Sequence, residues 1–263
     1  MSENENFLSS NETDVTLWLL PYDKVSYQAS KRDVAKLSAT ELARYQSCRL
    51  SRQKEFLLGR MLLRHALAEQ LACPINKLDV DERQRMPPYV PLAEENGIRF
   101  SISHSHSLIA VAIARCGIAQ NTVLGADVEY INPARGLSAA AVFCNAMQKQ
   151  LIENSVSSSE KKRLYYLFWT QKEAYFKACF YSEASSALST IDFDEVGRRQ
   201  GHDLSAASLE FMVSGQAERY QCAVYSSWIA VPIVKQLMLE ENHFSPNHQE
   251  LCPQWSHYKL VID

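Results

Sequence analysis

Apolar and polar residues alternate along "DVTLWLL", residues 14–20, well enough to predict a first strand. The period then lengthens. A short helix is predicted over about 38–48, and a stronger one over 52–71. In the latter, Phe56, Leu58, Leu62, Leu63, Leu67 and Leu71 form a broad apolar stripe, while Arg60 and Arg64 lie one turn apart on another face. Pro87 and Pro88 punctuate a loop. Beyond it "RFSIS" and "LIAVAIA" flank "HSHS", which reads as a hairpin turn between two strands. After Gly117 a short link leads to a strand at 124–130 and a helix at about 138–153. A Ser-rich loop follows, with Ser158 or Ser159 as a helix cap, then a helix at about 160–180. Two strands near 208–214 and 221–230 close the pattern, and no clear period is seen from 240 onward.

This element order predicts an α+β protein of two similar α/β halves. The expected organisation is a disordered N-terminus at 1–13, an N-terminal half at 14–117, a C-terminal half at 118–240 and a tail at 241–263.

The strand "LGADVEY", Leu124 to Tyr130, carries the first chemical signal. Leu124, Ala126 and Val128 point to one side, Gly125, Asp127 and Glu129 to the other. That second face offers bare backbone and then two carboxylates about 7 Å apart, which repel each other unless a positive charge lies between them. A bare D-x-E is most often a solvated strand face; the sharper reading is a Mg²⁺ site, because hard cations take carboxylate oxygens.

Composition narrows the classes. With 263 residues, 46% of them hydrophobic, the chain can bury a sizeable core in one large domain or two small ones. A net charge of −3 argues against a general nucleic-acid binder. Residues 31–64 depart from that balance, with nine basic side chains against three acidic ones, a local charge of +6 that predicts an anionic partner. The seven cysteines are scattered, without a C-x-x-C, as in reduced thiols of a cytoplasmic protein. The polar start is not a signal peptide and no apolar run reaches spanning length, so no membrane role is expected.

Two further stretches bear on the D-x-E strand. In "WTQKEAYFK", Trp169, Glu173 and Lys177 lie along one helix face at i, i+4 and i+8. Alone this is a Glu→Lys surface pair; beside the strand, Glu173 is a candidate third metal ligand and Lys177 a phosphate or leaving-group contact. In "SISHSHS", the two histidines lack the further His or Cys neighbours of a transition-metal site, and phosphate contact by His104 with a Ser hydroxyl or backbone N–H is the better reading.

In this order, "FSISHS" (Phe100–Ser105), "LGADVE" (Leu124–Glu129) and "FWTQKEAYFKA" (Phe168–Ala178) resemble the three signature blocks of the 4′-phosphopantetheinyl transferases. The type is the large, two-half kind that activates carrier proteins of surfactin- and enterobactin-like synthetases. "RLSRQKEFLLGRMLLR" (Arg49–Arg64) is also similar to the family's basic helix. The resemblance spans about residues 44–180. It implies transfer of the phosphopantetheine arm of coenzyme A to a serine of an apo acyl or peptidyl carrier protein, with release of adenosine 3′,5′-bisphosphate. It further implies that Asp127, Glu129 and Glu173 hold Mg²⁺ (or Mn²⁺), that Glu173 is the base, and that Lys177 contacts the phosphate. Ser103 and His104 match the family's contacts to coenzyme A phosphates, and Arg44 falls near the nucleotide; on the local charge of +6, Arg44, Arg52 and Arg60 are expected to bind coenzyme A phosphates or to guide an acidic carrier protein. Two-half members need one chain per site, so a monomer is expected.

The chain departs from the family pattern in places. "RQRMPPYV" puts Met86 and Pro87 where a Gly and a basic residue are usual, leaving Arg85 or Arg83 to supply the charge. His106 stands where Gly is common, and the Gly-rich stretch after the last Lys is missing. Two rivals stand beside the transferase: a Mg²⁺-dependent phosphohydrolase, and a non-catalytic coenzyme A-binding relative.

Overall fold

The structure is a computed structural model and describes residues 15–22, 29–84, 86–115, 123–179, 191–196, 205–212, 218–226, 232–240, 243–251 and 256–262. The expected N-terminal segment 1–13 and Arg85 lie outside the described residues.

The protein is mixed α+β and is built around two five-stranded sheets. The first strand, β1 (Val15–Pro21), is apolar almost throughout because it is covered on both faces. Trp18 and Leu20 face the long helix, whereas Val15, Leu17 and Leu19 face the other sheet. Three helices follow: α1 (Lys31–Val34), α2 (Ala39–Ser47) and α3 (Leu50–Leu71). Ser38 starts α2 through a capping box with Glu41. The apolar stripe of α3 (Leu58, Leu62, Leu63, Leu67) packs on β1 and on the hairpin strands, and Gly59 lies over Ile102 and Ile109. A short helix, α4 (Pro91–Glu95), leads into that hairpin, β2 (Ile98–Ser105) and β3 (Leu108–Arg115). Its turn is His106–Ser107, and His106 takes φ +54°, the left-handed region glycine enters without cost.

The strand β4 (Leu124–Tyr130) forms over the residues its alternation predicts. The expected helix at 138–153 is instead two, α5 (Ala140–Phe143) and α6 (Ala146–Asn154). The break comes at Asn145, whose side chain caps α6 in a capping box with Gln148; an Asn there competes with helix continuation and restarts it. Helix α7 (Ser158–Ala178) is capped by Ser157, one residue before the expected cap. The remaining strands are β5 (Ile191–Val196), β6 (Ser205–Met212), β7 (Arg219–Ser226), β8 (Ile233–Glu240), β9 (His243–Leu251) and β10 (Ser256–Ile262).

Sheet membership does not follow chain order. One sheet runs β2-β3-β1-β8-β9, the other β4-β7-β6-β10-β5. Thus β8 returns to lie parallel to β1, and the tail without a visible period supplies β9 to the first sheet and β10 to the second. The layers run α3, first sheet, second sheet, α7. Leu17 and Leu19, the small residues Ala110, Ala112 and Ala114, and Leu124, Ala126, Val128, Cys222 and Val224 fill the space between the sheets. Helix α7 closes the far side over Ala223 and Tyr225.

Candidate functional site

The two faces of β4 separate as its alternation requires: Leu124, Ala126 and Val128 enter the intersheet core, and Gly125, Asp127 and Glu129 turn toward α7. Gly125 sets how close the helix comes. A Cβ there would run into the carbonyl oxygen of Ala174 and lie 2.6 Å from Ala178 N. That approach brings Trp169 and Lys177 onto the strand. The Trp169 indole donates to Glu129 Oε1 (3.0 Å), and Lys177 Nζ donates to Asp127 Oδ1 (2.7 Å).

The other edge of β4 is met by β2. Ser101, Ser103 and Ser105 lie on one face of β2 and accept from Ala126, Val128 and Tyr130 N–H at 3.0, 3.2 and 3.0 Å. They satisfy outward N–H groups that an edge strand otherwise leaves open. Two of the three also reach the carboxylates: Ser103 donates to Asp127 Oδ1 (2.8 Å) and Ser105 to Glu129 Oε2 (2.8 Å). Lys177 divides its three donors among Asp127, the Ser103 hydroxyl (2.9 Å) and Ala126 O (3.3 Å).

The site is nevertheless short of positive charge. Asp127 is 4% exposed, and its Oδ2 is buried with no hydrogen-bond partner among the described residues. Glu173 is half-buried and no hydrogen bond or ion pair reaches it among the described residues. Burial first, and Asp127 second, push Glu129 above the usual carboxylate range, against the bonds from Ser105 and Trp169. Burial and then Asp127 raise Glu173 as well, with Glu129 adding and Lys177 opposing. The three carboxylates thus feel one another, yet they are not drawn into a ligand cluster: among the described residues no group of three or more His, Cys, Asp or Glu is arranged to hold a metal ion. The donor set, hard oxygens with a buried orphan among them, fits a divalent cation of the Mg²⁺ kind.

The anion-binding residues expected from sequence divide. His104 points to the opposite face of β2 from Ser103, toward α3, where its Nδ1 lies 3.6 Å from Glu55 Oε2. Burial lowers its pKa, with Glu55 opposing. Arg52 is exposed and donates to the same Glu55 oxygen (2.8 Å). Arg44 is exposed on α2. Arg60 is buried, donates to Glu82 (2.6 Å) and lies 3.7 Å from Glu41, while Arg64 donates to both oxygens of Glu41. Part of the +6 segment is therefore internal architecture tying α2 to α3, and no basic surface. Lys172, inside the third block, is fully buried and donates to the Phe143 carbonyl (2.8 Å), so it anchors α7 to α5.

Sequence reasoning gave no role to Ser101, Ser105 or the Trp169 N–H. The period-two serines of "SISHS" were the available signal.

The site is thus an acidic strand and helix pair with a lysine counter-charge, held on an α+β scaffold. Residues 123–225 match the family model of the 4′-phosphopantetheinyl transferase superfamily, a span that contains Asp127, Glu129, Glu173 and Lys177 and leaves out the Phe100–Ser105 block. The chain is 29% identical over 167 residues to the 4′-phosphopantetheinyl transferase HetI of Nostoc sp., covering 63% of this chain and 68% of that protein. It is also 29% identical over 167 residues to slr0495 of Synechocystis sp., named provisionally as a 4′-phosphopantetheinyl transferase, with 62% and 63% covered. Over the matched residues the chain is similar to the 4′-phosphopantetheinyl transferases, a class of transferase.

Proposed function

We propose that the protein transfers the 4′-phosphopantetheine arm of coenzyme A to a serine of an apo acyl, peptidyl or polyketide carrier protein. The serine oxygen forms a bond to the β-phosphorus of the pyrophosphate, the bridging P–O bond breaks, and adenosine 3′,5′-bisphosphate departs with the electron pair. The observation that carries this reading is the convergence of Asp127 and Glu129 from β4 with Glu173 and Lys177 from α7, where Gly125 lets the two elements meet.

Each residue has a part. Glu173, with no hydrogen bond or ion pair among the described residues and held above the usual carboxylate range by burial and Asp127, takes the serine proton. Lys177, already beside Asp127 and Ser103, carries the charge that grows on the leaving phosphate. Ser103 and His104, with exposed Arg44 and Arg52, receive the phosphates of coenzyme A, and Arg85 is assigned to the same task by its place in sequence alone. Asp127, Glu129 and Glu173 would hold Mg²⁺ or Mn²⁺, which when bound neutralises pyrophosphate charge. Displacement at a pyrophosphate needs that neutralisation and in-line placement more than covalent help.

We place the reaction in the cytoplasm and within one chain of two pseudo-twofold halves. The described cysteines Cys48, Cys73, Cys144, Cys179 and Cys222 are free, as suits a reducing compartment, and no described helix is long and apolar enough to cross a membrane. The test is to incubate the protein with coenzyme A, Mg²⁺ and a panel of apo carrier proteins, and to identify the products. A carrier bearing the arm, with one adenosine 3′,5′-bisphosphate released per adduct, is expected; free phosphopantetheine instead would make the protein a hydrolase.

A further inference from the structure

We propose that Ser105 is a positioning residue that, with the Trp169 indole, fixes the direction in which Glu129 presents its carboxylate. This rests on the reading of Glu129 as a cation ligand.

The argument is one of geometry. Glu129 is gripped at both oxygens from opposite sides, Oε2 by the Ser105 hydroxyl at 2.8 Å from β2 and Oε1 by the Trp169 Nε1–H at 3.0 Å from α7. A carboxylate with one donor can rotate about its last torsion, whereas one with a donor on each oxygen has its plane set. Each grip is itself fixed. Ser105 accepts from Tyr130 N–H (3.0 Å), which leaves its own proton to point at Glu129. The Trp169 ring rests edge-on against Phe143, with centroids 4.9 Å apart. A metal ligand held by such outer partners keeps its remaining lone pairs aimed, and outer partners of this kind commonly change metal affinity by about tenfold or more.

The neighbouring serine provides the control. Ser101 makes the same backbone contact, accepting from Ala126 N–H at 3.0 Å, and has no carboxylate opposite it, since residue 125 is glycine. If the serines act only as a stitch between β2 and β4, Ser101→Ala and Ser105→Ala should be equivalent. If Ser105 aims Glu129, they should differ.

Two readouts on the whole 263-residue chain separate the possibilities. In the metal-free protein, the ¹⁵N–¹H signal of the Trp169 indole reports its bond to Glu129. Ser105→Ala should shift it and speed its hydrogen exchange, Ser105→Thr should restore both, and Ser101→Ala should leave both unchanged. In a Mn²⁺ titration followed by electron paramagnetic resonance, Ser105→Ala should weaken binding by about tenfold, with Ser105→Thr near wild type. An unchanged indole signal in Ser105→Ala, or the same change in Ser101→Ala, would overturn the positioning role. Wild-type protein that takes up no Mn²⁺, while the indole signal still responds to Ser105→Ala, would contradict the cation reading and leave the aiming of Glu129 standing.

Discussion

Lys177 Nζ donates to Asp127 Oδ1 over 2.7 Å, while Oδ2 of the same carboxylate is buried without a partner among the described residues. The two D-x-E carboxylates are thus separated by protein donors, an ammonium on one and an indole N–H on the other, and one oxygen remains unserved. Burying an unmet charged oxygen costs free energy, so the site is held at that cost by the fold around it. Replacing Asp127 by Ala removes both the lysine's partner and the orphan oxygen. Transfer should fall by about 100-fold, the scale for losing a central electrostatic stabiliser, in a protein that still folds. Thermal melting beside single-turnover transfer checks this, and near-normal turnover in folded Asp127→Ala would remove Asp127 from the chemistry.

Glu173 differs from the strand pair in having no donor on it among the described residues, which suits a base. Glu173→Gln keeps the shape and removes the proton acceptor. Calorimetry should show coenzyme A still bound with Mg²⁺, while the chemical step collapses, so the loss falls in kcat more than in KM. Equal losses in binding and turnover would make Glu173 a ligand only.

The pH behaviour follows from the direction of the shifts. Glu129 and Glu173 both titrate above the usual carboxylate range in the fold. A carboxyl raised on folding contributes stability that is present below its unfolded pKa and is lost as pH rises through the folded value. In metal-free protein these two groups should therefore favour the fold at acid pH and weaken it toward neutrality, and added Mg²⁺ should raise the melting temperature at neutral pH but not once both are protonated. Because the Asp127 charge raises Glu173 and Lys177 lowers it, Asp127→Asn should move the Glu173 titration down and Lys177→Gln should move it up. Carbon-13 NMR of the carboxyl reads both directions.

Gly125 is the position where sequence and site are most tightly linked. Ala at 125 would meet backbone atoms of Ala174 and Ala178, which have nowhere to go unless α7 shifts. Gly125→Ala should destabilise by about 3 kcal/mol and displace Glu173 and Lys177 together. Gly59→Ala, with its nearest contacts at 3.9 Å, should be tolerated, and denaturant unfolding compares the two.

How far these features could be read from the sequence depends on how local they are. The alternation of "LGADVEY" gave the strand, its two faces and the side on which the chemistry lies, because strand period is a local property. The helix spacing of Trp169, Glu173 and Lys177 likewise put them on one face. What partners each residue has is not local. Arg60 and Arg64 read as a basic face because their carboxylates, Glu41 and Glu82, come from other segments. Strands β9 and β10 lack a visible period; β9 folds back on the neighbouring β8, and the pairing of β10 with β5 and β6 is long-range. The single helix expected at 138–153 failed at Asn145, where a capping side chain outweighed the apolar spacing.

The arginines give a clean contrast. Arg64→Ala leaves buried Glu41 with the Ser38 N–H and, among the described cations, the more distant Arg60, and should cost about 3–5 kcal/mol. Arg44→Glu, on an exposed helix surface, should leave melting unchanged and raise KM for coenzyme A or the carrier protein, with an effect that grows as salt is lowered. No change in either constant would return Arg44 to a solvated face.

The most direct test of the central claim is the intact mass of an apo carrier protein after incubation with the enzyme, coenzyme A and Mg²⁺. The account predicts one phosphopantetheine adduct per carrier, absent when the carrier's acceptor serine is replaced by alanine and absent with Glu173→Gln enzyme. A carrier of unchanged mass across the panel, while coenzyme A is split to free phosphopantetheine, would contradict it.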